Sequence, residues 1–117
     1  MIEAAKQLNM IEIYVPDMND SYSTVVLDGK QYEIRFTWNH VAQRWAYGLY
    51  TAQREPIAVG LRIVPQFPLN MQIADERFPF GIFGVFTKFE SVERRDFVNG
   101  NAVFVYASMQ AVQNEAI

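Results

Sequence analysis

Residues 27–50, LDGKQYEIRFTWNHVAQRWAYGLY, decide the fold. Asp28-Gly29 is a tight-turn dipeptide, because glycine accepts a positive φ without steric cost and Asp-Gly suits a two-residue hairpin loop. Strict alternation follows. Tyr32, Ile34, Phe36 and Trp38 fall on one side, with Gln31, Glu33, Arg35 and Thr37 on the other. A period of two marks a strand with one buried face. Residues 39–44 break the pattern. Trp45, Tyr47 and Leu49 then restart it, with Ala46, Gly48 and Tyr50 opposite. The stretch predicts two successive β-hairpins, defined by Asp28, Gly29, Trp38, Asn39 and Trp45.

Working outward, residues 22–27 form the first hairpin arm, 30–38 the second, and 45–52 the strand after it. Upstream, residues 10–15 read as a short strand ended by Pro16. Residues 17–21, Asp-Met-Asn-Asp-Ser, are turn chemistry, since short polar side chains bond their own backbone. Asp17 and Asp20 invite a calcium reading, but the central glycine and closing glutamate of a calcium loop are missing. Downstream, residues 53–56 are a turn and 57–64 a strand. That strand places Ile57, Val59, Leu61 and Ile63 on one face, and Gly60 marks a bulge or a close backbone approach.

The character changes at 65–81, where Pro65, Pro68 and Pro79 alternate with Phe67, Phe78 and Phe80. Proline cannot donate to a ladder, so this is a long excursion, with a short strand or helical turn within 69–75. The phenylalanines either staple the loop to the body or stand out as anchors. Phe67, Phe78 and Phe80, with Phe83 and Phe86 of the next strand, form the candidate partner interface. Residues 82–89 are apolar on both faces, so the strand is sandwiched or one face is covered by another chain. Residues 90–96 are a charged connector. Asn99-Gly100 predicts a final hairpin between 97–98 and 101–109.

The pattern gives an all-β chain: a small antiparallel β-sandwich or barrel of about seven short strands, with one long Pro/Phe-rich loop. Residues 1–9 are an N-terminal extension, either a helical turn or frayed chain. Met1-Ile2-Glu3 recurs as Met10-Ile11-Glu12, which makes Met10 an alternative start. Residues 10–109 form a single β domain, and 110–117 a polar tail with some helix tendency.

Composition narrows the function. The chain has 117 residues, 50% hydrophobic and 15% aromatic, ample for a packed core. Its net charge is −3, with both signs dispersed. A direct nucleic-acid role is not expected, because phosphate binding needs a concentrated basic face. Arg94-Arg95, flanked by Glu93 and Asp96, reads as a solvated turn. No apolar run approaches the roughly 20 residues that span a bilayer. Residues 1–9 lack the pattern of a signal peptide, and synthesis in the cytoplasm is expected. The absence of cysteine removes disulfides, thiolate catalysis and cysteine zinc sites.

The catalytic inventory is thin. His40 is the single histidine and falls in a turn, so no histidine cluster exists to bind a metal. No serine sits in a nucleophile elbow, and no glycine-rich loop opens a helix. Asp75 and Glu76 are the candidates for a carboxylate pair, if the chain carries one. No catalytic, cofactor-binding or metal-ligating residue is assigned. Nine Phe, six Tyr and two Trp exceed what turns and edges need, and such residues are common interface anchors.

The order of residues in the central stretch resembles the small baseplate plug proteins of contractile phage tails and tail-like particles. The matching residues are Leu27-Asp28-Gly29, Tyr32, Ile34, Phe36, Asn39, Arg44-Trp45, Tyr47, Leu49, Tyr50, Pro56 and Gly60. The likeness covers 21–60 and continues loosely to 103–106, while 1–9 and 65–81 depart from it. It implies a non-enzymatic virion protein at the tail baseplate, made in the host cytoplasm. Hub, tube and spike proteins would be its partners, near the central axis, in copies that follow a three-fold arrangement or a homotrimer. A soluble β-barrel holding a small apolar ligand is the alternative.

Overall fold

The computed structural model describes residues 10–69, 75–79 and 81–108. The expectations for 1–9 and 110–117, most of the short element within 69–75, and Phe80 fall outside the described residues. The described residues form seven strands: β1 (Met10–Ile13), β2 (Asp20–Leu27), β3 (Lys30–Asn39), β4 (Arg44–Thr51), β5 (Pro56–Arg62), β6 (Gly81–Thr87) and β7 (Ala102–Ser108). They form two antiparallel sheets, ordered β1-β7-β6 and β2-β3-β4-β5. The all-β expectation holds, and the sheets pack face to face as a sandwich.

The Asp28-Gly29 hairpin forms as its chemistry requires. Asp28 and Gly29 take φ of 54° and 79°, and Leu27 pairs with Lys30. Two positive φ values in a two-residue loop match the twist of the flanking strands. The second hairpin turns through 40–43, with Gln43 at φ 54° and the Ala42 amide donating to Asn39 Oδ1 at 3.0 Å.

The alternating residues of β3 and β4 point inward as read. Ile34, Phe36, Trp45, Tyr47 and Leu49 are fully buried. Across the gap, Phe36 and Tyr47 each meet Phe104 of β7 at 5.2 Å, and Tyr47 meets Phe83 of β6 at 5.3 Å. Edge-to-face and tilted rings at such distances stabilise beyond their buried area.

Two expectations are corrected. Asn99-Gly100 does not close a hairpin. Residues 94–100 form consecutive turns in which the Asn99 amide donates to Arg95 O at 2.9 Å, and Gly100, at φ 80°, ends them. A positive-φ glycine serves a helical-type C-cap as readily as a hairpin, and the dipeptide alone does not separate the two. Tertiary packing chose here: Phe97 lies against Trp45 and Phe104, at 6.0 and 6.4 Å, instead of extending. In β5, Val59 does not share the inner face but is 54% exposed. The expected bulge is the cause. Gly60 has φ 67°, and the pairing with β4 slips twice between Tyr47 and Tyr50. Each slip re-aims the residues beyond it.

Candidate functional site

Two outer surfaces gather side chains that the core does not need. The first lies on the β1-β7-β6 sheet. Residues 66–69 run beside β6, with Val85 N donating to Gln66 O at 2.8 Å and Leu69 N to Phe83 O at 2.7 Å. This brings Phe67 onto Gly84, whose missing side chain leaves room for the ring. Phe67 then stacks on Phe86 at 5.2 Å with the planes 22° apart. Phe86 and Phe89 remain 46% exposed. The two-sided apolar character of β6 is thereby explained in part: the outer face carries a layer from the chain's own loop.

The candidate interface phenylalanines separate. Phe67 and Phe86 lie together on this outer face. Phe83 is 1% exposed and belongs to the core, so its ring is not presented to a partner. Phe78 packs edge-on against Phe83 at 5.7 Å, which staples the loop to the body. The loop is fixed further by Arg77, which donates to Asp75 at 2.8 Å and to Pro56 O at 3.1 Å.

The second surface is the outer face of β2-β3-β4. Here Tyr22 lies between two guanidinium groups, Arg54 at 3.9 Å and Arg35 at 5.2 Å from its ring centre, and meets Tyr50 edge-on at 5.5 Å. Arg35 grips Asp20 through two hydrogen bonds of 2.8 and 2.7 Å. That fork-to-fork pairing holds the Asp20 carboxyl below its ordinary range and raises the guanidinium, with a further bond to Tyr50. Glu33 is nearly buried. It accepts a 2.5 Å bond from Thr24 and faces Arg54 at 3.5 Å. The result is a rigid tyrosine–arginine surface, the composition that dominates interface hot spots. Sequence reading placed Glu33 and Arg35 on the outer face but did not assemble the cluster. The signal was there: the Asp28-Gly29 loop fixes the register that sets Tyr22 opposite Arg35 and Thr24 opposite Glu33.

The groups with chemical potential are tied down. Arg77 beside Asp75 holds its carboxyl at about 2, so it stays ionised and cannot deliver a proton near neutrality. Asp17 is held low by Arg94, with Arg95 assisting, and Arg94 also lies 5.3 Å over the Trp45 ring. Arg94-Arg95 is thus engaged internally, as a charged turn. His40 sits exposed in the β3–β4 turn beside Gln43. Among the described residues, no group of three or more His, Asp or Glu is placed to hold a metal. Asp28 accepts hydrogen bonds from Tyr106 and Ser108, which joins the two sheets at one end of the sandwich. Burial, reinforced by the bond to Asp28, pushes the Tyr106 phenol well above its usual range and keeps it protonated. This geometry suits structural contact.

Against known proteins, residues 9–109 match the family described as cyanophage baseplate Pam3 plug gp18. No curated protein matches the chain.

Proposed function

The chain belongs to the phage baseplate plug family, whose place is the virion tail baseplate, and from that membership we propose that it packs around the central tube and spike axis, against the hub, and catalyses nothing. The family match carries this reading. The surfaces support it: a Phe67–Phe86 layer on one sheet and the Tyr22–Arg35–Arg54–Tyr50 cluster on the other offer anchors on opposite sides of the domain. A wedge between neighbours needs two such sides. Copies arranged by the three-fold symmetry of the hub fit the same reading.

The test is assembly. The tagged chain is expressed with the tail genes beside it, and particles are separated by sedimentation. Co-sedimentation with hub, tube or spike proteins at a fixed stoichiometry is expected. A chain that stays a free monomer while complete tails form without it overturns the proposal.

A further inference from the structure

The edges of the two sheets differ in how they are finished. β5 begins at Pro56 and is broken by two register slips. β6 is covered by residues 66–69 through the bonds to Gln66 and Phe83. β1 is four residues long. Proline, bulges, covering segments and brevity are the usual protections of a sheet edge. Among the described residues, β2 has none of them. It runs for eight residues without proline, bulge or lysine, and all eight pair with β3 in unbroken register.

The parity of that pairing shows which backbone groups of β2 have no partner in β3. Trp38 N donates to Asn19 O at 2.8 Å, so residues 19 and 38 form a hydrogen-bonded pair. Antiparallel ladders alternate bonded and non-bonded pairs. The odd residues of β2 therefore bond to β3, ending at the Leu27–Lys30 pair that closes the two-residue turn. The amides and carbonyls of Tyr22, Thr24 and Val26 point away from the sheet.

They point beside a groove of about 320 Å³ whose walls are β2 and the edge of β1. Around it stand Ile11, Tyr14 and Val26, which are 40%, 70% and 60% exposed. Large apolar side chains gathered at an unpaired edge mark an interaction site. Glu12 also lines the groove and has no ion-pair partner among the described residues.

We infer that β2 accepts an extended strand from another baseplate subunit, which seats in the groove between β2 and β1. The occupant is a single segment with apolar side chains at alternate positions and a lysine or arginine toward Glu12. Its backbone takes the outward-pointing groups of Tyr22, Thr24 and Val26, and its inner face covers Ile11. A second copy of this domain fits less well. The groove is a slot between two layers, and a whole sandwich edge would meet β1 before its own strand reached β2. This inference rests on the assembly reading above, since it names how one neighbour attaches.

The test uses tail particles assembled with the full chain. Backbone amide exchange across residues 20–27 is measured in the free protein and in particles. Slowing of about tenfold or more at the amides of Tyr22, Thr24 and Val26 is expected, with the odd-numbered amides already slow when free. Unchanged exchange at the even positions in particles that contain the chain overturns the inference while leaving the assembly reading intact. Val26→Pro provides the second arm. An edge strand admits proline where its N–H faces away from the partner strand, so the free variant keeps its β-sheet circular dichroism. Its incorporation into particles falls about tenfold or more. Wild-type incorporation of a folded Val26→Pro chain overturns the inference. So does a photo-crosslinker at position 26 that joins only two copies of this chain. Absence of the wild-type chain from particles removes both the assembly reading and this one.

Discussion

The Tyr106 hydroxyl donates a 2.6 Å hydrogen bond to Asp28, 78 positions away in the chain, and Ser108 donates to the other carboxylate oxygen at 2.5 Å. Asp28 thus does two jobs. Its backbone takes the left-handed conformation that turns the β2–β3 hairpin, and its side chain fastens that hairpin to β7 in the opposite sheet. Tyr106 and Ser108 are 2% and 4% exposed, so neither hydroxyl has water as a ready substitute. Asp28→Ala leaves both buried hydroxyls without their acceptor and adds turn strain. A loss of about 2–4 kcal/mol in chemical unfolding is expected. Asp28→Asn tolerates the turn and keeps one acceptor oxygen, so it loses less. An unchanged midpoint for Asp28→Ala means that the two sheets are not joined in this way.

Burial of Tyr106, reinforced by the same bond, sets the alkaline limit of stability. Tyr106 has a raised pKa in the folded protein, against an ordinary 10.0, and Tyr32 is raised too. Below the ordinary value both states keep the phenolic proton. Above it, the unfolded chain loses the proton first and so binds fewer protons than the folded one. Stability therefore falls as pH rises past about 10. Unfolding midpoints measured from pH 8 to 11 should decline at the upper end, and Tyr106→Phe should make that decline shallower. A flat profile in the wild type contradicts the burial of these phenols.

Among the described residues, Trp45 is the largest fully buried side chain. It is 1% exposed, lies 5.5 Å from Trp38 and 6.0 Å from Phe97, and donates from Nε1 to Glu93 O at 3.3 Å. Trp45→Ala should cost about 3–5 kcal/mol, as for other large buried aromatic side chains, read from the denaturant midpoint. Substitution with no effect on the midpoint would place the indole at the surface.

Much of this was legible because hairpin rules are local. Asp28-Gly29 and the alternation from Tyr32 to Leu49 carry loop type, register and inner face within one short stretch. What escaped was decided at long range. Asn99-Gly100 reads as a hairpin until Phe97 is seen held against Trp45 and Phe104. Phe83 and Phe86 are neighbours in one strand, and only the path of residues 66–69 explains why one is core and the other layered by Phe67. The Tyr22–Arg35–Arg54 cluster joins β2, β3 and the turn after β4. The register predicts its first pair, but Arg54 arrives through a positive φ of 64° that no composition rule supplies.

Phe86 and Phe83 provide a final contrast. Both lie on β6, three residues apart, and both were candidates for partner contact. Phe86 is 46% exposed and stacks on Phe67, whereas Phe83 touches Tyr47, Phe104 and Tyr106 in the interior. Phe83→Ala should therefore unfold the domain readily, at a cost of about 3–5 kcal/mol. Phe86→Ser should leave stability within about 1 kcal/mol, since it removes a half-exposed ring from the outer layer. If that layer faces a baseplate neighbour, Phe86→Ser chains fold normally yet enter particles poorly when they compete with wild-type protein. Equal incorporation would assign the Phe67–Phe86 stack to holding the loop over β6, and would leave the tyrosine–arginine face as the remaining broad contact surface.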